Sequence, residues 1–276
     1  MSSIIAYSRF LFPLRTATQR VFALIATDCP LCAGAATGGR LCVGCIQDVA
    51  ATMRDGCQRC ARCAQRMRAT GRECPSCADM NPVFTRTIAA FDYEPPFDSL
   101  IGRYKAERRY GLSTALAQLL ADAVVRAGGV TSSALSPSPP QTALVAQNGT
   151  YALRVGTILV PIPSSRQSLR QRGFNPAAEL AASLGVCLHL PVRRGVLRRL
   201  REGPRQAFSS RQARRAGAEG LFECVRPLPG CPVGLVDDVM TTGSTVNAAA
   251  QALLSAGASE VTVLVAARTP VGGEFN

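Results

Sequence analysis

Four Cys-x-x-Cys pairs stand within about fifty residues: Cys29/Cys32, Cys42/Cys45, Cys57/Cys60 and Cys74/Cys77. Nine of the chain's 12 cysteines fall in residues 29–80, a segment with little hydrophobic periodicity. Such a segment cannot bury enough apolar surface to offset its ordering entropy, so something other than an apolar core must hold it. With no secretory leader, closely spaced cysteine pairs point to metal rather than to disulfides. Two pairs supply the four thiolates of a tetrahedral zinc site, so four pairs predict two structural zinc ions. Each ion would contribute on the order of 10 kcal/mol to folding. Pairing in sequence order groups Cys29, Cys32, Cys42 and Cys45, then Cys57, Cys60, Cys74 and Cys77. A cross-brace, first pair with third and second with fourth, is the alternative. Cys63 lies in Cys60-Ala-Arg-Cys63 and competes with Cys60. A thioredoxin-type redox centre needs one pair, not four. Cys187, Cys224 and Cys231 read as core or surface thiols.

The rest of the chain has a different character. Of the 276 residues 47% are hydrophobic, enough for a core, and no apolar run approaches the ~18 residues of a membrane span. Residues 1–28 read as an amphipathic lead in which Arg9, Arg15 and Arg20 interrupt the apolar block. A signal peptide would place its charges first, so a cytoplasmic protein is expected. Residues 82–276 carry the alternating apolar runs of an α/β domain. Strands are predicted at Thr85–Tyr93, Thr157–Pro161, Val233–Asp237 and Glu260–Ala267. Helices are predicted at Ser113–Ala127, Ala177–Leu184 and Ser244–Ala256. Continuous apolar strands alternating with helices mean a parallel sheet covered on both faces. Residues 128–150, rich in Ser, Pro, Gly and Thr, read as a flexible insertion.

The run Leu235-Val-Asp-Asp-Val-Met-Thr-Thr-Gly-Ser-Thr245 carries the most chemistry. An apolar strand enters two adjacent carboxylates, then a hydroxyl-rich turn, then a helix. In an open α/β sheet, ligands sit beyond the carboxyl ends of the strands. A turn opening a helix presents backbone N–H groups and the positive end of the dipole to an anion. Gly243 allows close approach, and Thr241, Thr242, Ser244 and Thr245 add hydroxyl donors. Asp237 and Asp238 are acceptors suited to vicinal ribose hydroxyls or a metal ion. A Walker A loop would need Gly-Lys-Ser/Thr, which is absent.

The whole run resembles the phosphoribosyl-diphosphate (PRPP) signature of type I phosphoribosyltransferases. That resemblance assigns Asp237 and Asp238 to the ribose hydroxyls. It assigns Thr241, Thr242, Gly243, Ser244 and Thr245 to the 5′-phosphate. Upstream, Ile158-Leu-Val-Pro-Ile-Pro-Ser-Ser-Arg166 reads as a strand feeding an arginine-rich loop with Arg170 and Arg172, where arginine suits bidentate contact with a diphosphate. Together with Leu100–Lys105, Arg172-Gly-Phe-Asn175 and the cysteine pairs, the pattern resembles the ComF/GntX-like family over roughly residues 27–269. In that family Gln usually stands where this chain has Pro176. The resemblance implies a type I phosphoribosyltransferase-like sheet behind a small zinc-ribbon module, with Arg166, Arg172 and Lys105 as further PRPP ligands. It also implies Mg²⁺ bound with PRPP, and transfer of the phosphoribosyl group to a nitrogen acceptor. The alternative it implies is a non-catalytic competence-type protein of DNA uptake, contacting DNA through the basic cysteine module.

Charge fits either reading. The net charge is +13, almost all from arginine, which suits nucleic acid or phosphorylated small molecules. Arg54, Arg59, Arg62, Arg66, Arg68 and Arg72 lie near the cysteine pairs, and Arg193–Arg205 forms a second basic run that reads as a solvated face or a phosphate-backbone contact. Aromatic content of 5% without tryptophan argues against a base-stacking platform. His189 is the only histidine and has no partner pattern, so histidine-based triads are excluded on inventory.

Overall fold

A computed structural model describes residues 25–67, 74–106, 111–129, 152–201 and 220–270. The amphipathic lead and the 128–150 insertion lie almost wholly outside these residues. Within the cysteine segment, a two-stranded antiparallel ribbon, β1 (Ala26–Asp28) and β2 (Ala35–Thr37), precedes α1 (Val43–Ala51), and α2 (Pro75–Met80) closes the segment. Then follow β3 (Arg86–Asp92), α3 (Asp98–Ala106), α4 (Leu112–Arg126), β4 (Ile158–Pro161), α5 (Arg166–Arg172) and α6 (Pro176–Leu188). The chain continues with β5 (Leu197–Arg199), β6 (Phe222–Cys224), β7 (Pro232–Met240), α7 (Ser244–Ser255) and β8 (Glu260–Arg268).

Four strands form one parallel sheet in the order β3-β8-β7-β4. Successive residues point to opposite faces, so each strand feeds two cores. Ile88, Ala90, Val236, Leu264 and Ala266 pack with α4 and α6, while Ala89, Val233, Leu235, Val261 and Val263 pack with α7. This two-sided burial is why the strands read as unbroken apolar runs. The sheet matches the expected strands to within three residues at their ends.

The cysteine segment straddles the edge strand β3. Cys29, Leu41, Cys45 and Val49 join the core on the α4/α6 face, whereas Cys63, Cys74 and Phe84 join the core on the α7 face. An ion-pair cluster fastens the segment to the end of β3. Buried Asp92 takes Arg59 Nη2 at 2.8 Å and Arg66 Nη2 at 2.7 Å, and Arg66 also pairs with Glu94 at 2.6 Å and Asp55 at 2.9 Å. Arg59 and Arg66 are thus committed to carboxylates of the fold rather than held out for nucleic acid. Arg54 and Arg62 are exposed.

Two basic stretches differ from their sequence reading. The arginine-rich segment after Pro163 is not a loop: it coils into α5, because Ser165 caps it by accepting from Ser168 N at 3.0 Å. Part of the 193–205 run is a strand, β5, paired antiparallel with β6. There Arg198 pairs with Glu223, and Arg199 lies 5.3 Å from the centre of the Phe222 ring.

Candidate ligand site and metal centres

The cysteine groups repeat one local geometry. In Cys29-Pro-Leu-Cys32-Ala33 the Ala33 N–H donates to Cys29 O (2.9 Å), and Cys29 N–H donates to Gly34 O (2.7 Å). In Cys60-Ala-Arg-Cys63-Ala64 the Ala64 N–H donates to Cys60 O (2.9 Å), and Cys60 N–H donates to Gln65 O (2.9 Å). Ala33 and Ala64 both adopt left-handed backbone, at φ 59° and 58°. Each knuckle faces a second pair at the start of a helix, where Cys42 and Cys74 occupy the N-caps of α1 and α2.

The sulfurs gather into two sets, Cys29/Cys32/Cys42/Cys45 and Cys60/Cys63/Cys74/Cys77, each within 4.8 Å. The sets follow sequence order rather than a cross-brace, but only the first is the expected one. Cys57 is not a member of the second set: Cys63 takes its place. The 60–63 turn repeats the geometry of 29–32, whereas Cys57 is exposed and its N–H is turned to Asp55 Oδ1 at 3.1 Å. The sequence offered no signal for the choice, because Cys57-Gln-Arg-Cys60-Ala61 and Cys60-Ala-Arg-Cys63-Ala64 have the same Cys-x-x-Cys-Ala form. Tetrahedral zinc with Zn–S bonds of about 2.3 Å requires sulfurs about 3.8 Å apart. The Cys32–Cys42, Cys60–Cys77 and Cys63–Cys74 separations are 3.7, 3.6 and 3.6 Å. Burial pushes the Cys29 thiol up, but N–H donors from Cys32, Cys42 and Leu31 outweigh it and bring it down to about 6, whereas burial and the neighbouring cysteines push Cys45 of the same set up. Both sets can hold zinc.

The second centre is a cleft of about 200 Å³ at the carboxyl end of β7, lined by Asp237, Asp238, Thr245, Arg172 and Arg199 among others. Asp237 and Asp238 are the last polar residues of β7 before the turn, and each folds back on the chain. Asp237 Oδ1 accepts from Asp238 N at 2.9 Å, and Asp238 Oδ1 accepts from Val239 N at 3.0 Å. Lys105, on α3, reaches Asp238 Oδ2 at 2.8 Å. The structure therefore brings Lys105 to the acid pair rather than to the phosphate turn. Burial, and then the neighbouring Asp238 charge, push the Asp237 carboxyl well above its usual range, with Lys105 opposing them.

The turn itself is open. Thr241 and Thr242 are exposed, and Gly243 holds φ 83° at the N-cap of α7, where no side chain caps the first helical N–H groups. Thr242 Oγ1 and Ser244 Oγ lie 2.9 Å apart. Arg172 reaches the cleft from the last turn of α5. Arg166, at the first position of that helix, is exposed and does not line it. Arg199, which the sequence reading placed in a solvated run, does line the cleft, because the hairpin carries it over Pro163.

The Arg172-Gly-Phe-Asn175 segment supports the same cleft. Gly173 ends α5 at φ 80°, Phe174 is buried edge-on against Tyr104 with centroids 5.6 Å apart, and Asn175 caps α6 through Ala177 N. Asn175 also donates to Ile162 O at 3.0 Å, tying the helix to the strand end. Pro176 fits because it occupies the first helical position, where no N–H is needed.

Comparison with known proteins places this arrangement. The DNA utilization protein YhgH of Escherichia coli is 30% identical over 210 residues, covering 76% of this chain and 84% of that protein. The chain belongs to the ComF family. Competence protein F of Haemophilus influenzae, within that ComF group, is 26% identical over 223 residues, 77% of this chain and 89% of its own length. Competence protein ComFC of Bacillus subtilis is 34% identical over 101 residues, 36% of this chain and 39% of its own. No family model matches the chain. A purine phosphoribosyltransferase from Pyrococcus horikoshii aligns over 44% of the chain and 80% of its own at 17% identity and a TM-score of 0.23. Among the described residues no helix is long and apolar enough to cross a membrane.

Proposed function

We propose that this ComF-family chain binds PRPP in the cleft at the end of β7 and transfers its phosphoribosyl group to a nitrogen acceptor. The observation that carries the reading is the convergence on one cleft of an acid pair, two arginines and Thr245, which stands in the first turn of a helix with no side-chain cap. Asp237 and Asp238 accept from the ribose 2′- and 3′-hydroxyls. The exposed amides and hydroxyls of 241–245 hold the 5′-phosphate. Arg172 and Arg199 flank the place of the departing diphosphate, and bidentate guanidinium contact favours its growing charge. The ring carbon passes through an oxocarbenium-like transition state that the site stabilises by position and field rather than by proton transfer. The paired carboxylates at the open cleft also suit a hard cation. Mg²⁺, when bound, would neutralise diphosphate charge and keep several waters. Incubation with Mg²⁺–PRPP and a panel of nucleobases and amines is expected to release diphosphate and form a ribosylated product.

A second reading is favoured by the relatives' names, which speak of DNA utilization and competence. In it the cleft holds a phosphoribosyl ligand without turnover, and the basic cysteine segment contacts DNA. Salt-dependent DNA binding that survives Asp237→Asn/Asp238→Asn, with no diphosphate released from any acceptor, would establish this reading over the first.

A further inference from the structure

Arg268, the last residue of β8, is 1% exposed, the largest fully buried side chain among the described residues. It pairs with no carboxylate within them. A buried guanidinium without a counterion is tolerated only when its donors are met by hydrogen bonds. Here Nη1 donates to Met240 O at 3.0 Å, to Thr241 O and to Thr269 O at 2.9 Å, while Nε donates to Cys63 O at 2.8 Å. Met240 O ends β7, and Thr241 O opens the turn after it. Cys63 O belongs to the second cysteine knuckle, whose Sγ lies in the Cys60/Cys63/Cys74/Cys77 set.

Peptide planarity turns that grip into an orientation. In a trans peptide the C=O of one residue and the N–H of the next point in opposite directions. The Met240 carbonyl is also held by the Thr269 N–H of the sheet at 3.0 Å, but the Thr241 carbonyl is drawn inward by Arg268, which turns the Thr242 N–H outward, away from the guanidinium. The cation also sits behind the turn, where its field favours an anion on the far side. A second contact runs the same way: the side chain of Met80, at the end of α2, packs against Gly243.

We propose that Arg268 is a positioning residue that braces the phosphate turn against the second cysteine knuckle, so that the turn's hold on a phosphate monoester depends on that metal-bound knuckle. The proposal rests on the reading of 241–245 as a phosphate site. A lysine at 268 keeps the charge but cannot span acceptors on both the turn and the knuckle with fixed geometry.

The test uses the full, zinc-loaded chain carrying Arg268→Lys. It reads zinc content, amide hydrogen exchange along the chain, and calorimetric affinity for ribose 5-phosphate. Zinc is expected to stay at two per chain. Exchange at 241–245 should quicken while β4 and α6 keep wild-type protection. Affinity should fall about tenfold or more, the size of a lost charge-assisted hydrogen bond. Cys63→Ser, which strips the second metal site, should loosen the same amides, and it decides the matter if the lysine variant does not fold. Wild-type protection and affinity in both variants would overturn the brace, as would a loss spread evenly over β4 and α6. If the wild type itself does not bind ribose 5-phosphate or PRPP, the phosphoribosyl reading fails, and the exchange pattern still judges the brace.

Discussion

Lys105 Nζ lies 2.8 Å from Asp238 Oδ2, and this one contact makes the two adjacent acids unequal. Asp238 has a cation beside it. Asp237 has no ion pair among the described residues, and burial together with the Asp238 charge drives its carboxyl well above the usual range. Of the two acids, Asp237 is therefore the one whose environment favours its protonated form.

Proton release on binding follows. Ribose hydroxyls donating to Asp237 favour its ionised form, so PRPP should expel a proton as it binds. Calorimetric titration in two buffers of different ionisation enthalpy is expected to give different apparent enthalpies, and affinity should rise with pH across the native titration of Asp237. Buffer-independent enthalpies would contradict this.

Stability should show the opposite sign. A carboxyl whose native pKa is raised supports the fold fully below the ordinary carboxyl range, and that support is lost as pH rises through its native value. Asp237→Asn removes the loss. Its melting temperature should match the wild type near pH 4 and exceed it at pH 8, by about 2–4 °C for each kcal/mol relieved. The same variant should bind PRPP poorly.

Metal stoichiometry separates the cysteines. Cys57→Ser should retain two zinc ions per chain and wild-type stability. Cys74→Ser should retain one and lose several kcal/mol, of the order of a structural site's share in folding. Zinc counted by mass spectrometry of the native protein checks both.

Gly243→Ala tests the turn. Its φ of 83° is costly for any residue with a Cβ, and an added Cβ would come within 2.6 Å of Met240 Cε and 2.7 Å of Met80 Sδ. A destabilisation of about 1–3 kcal/mol is expected. PRPP affinity should weaken as well, because the turn must move to make room. Denaturant unfolding and calorimetry read the two effects.

Much of this was legible from spacing. The strand–Asp-Asp–turn–helix run placed Asp237, Asp238 and 241–245 at a sheet end, and unbroken apolar strands announced a parallel sheet buried on both faces. The misses have physical reasons. Cys57 satisfies the Cys-x-x-Cys spacing as well as Cys63 does, and an alanine follows both pairs, so only the folded backbone, left-handed at Ala64, tells them apart. Arg199 reaches the cleft by way of β5–β6 pairing between residues about 25 apart in sequence, which local pattern does not reveal. Arg268 ends a strand as an ordinary basic residue would. Its role depends on carbonyls from residues 63 and 240–241, which the chain fold alone brings together.

The central claim is that Asp237–Thr245 binds a phosphoribosyl group, and calorimetric titration of the zinc-loaded chain with Mg²⁺–PRPP, beside Asp237→Asn/Asp238→Asn, tests it most directly. Saturable one-to-one binding in the wild type that vanishes in the variant is the predicted result. Heats of dilution alone in the wild type, or binding that survives loss of both acids, would contradict it.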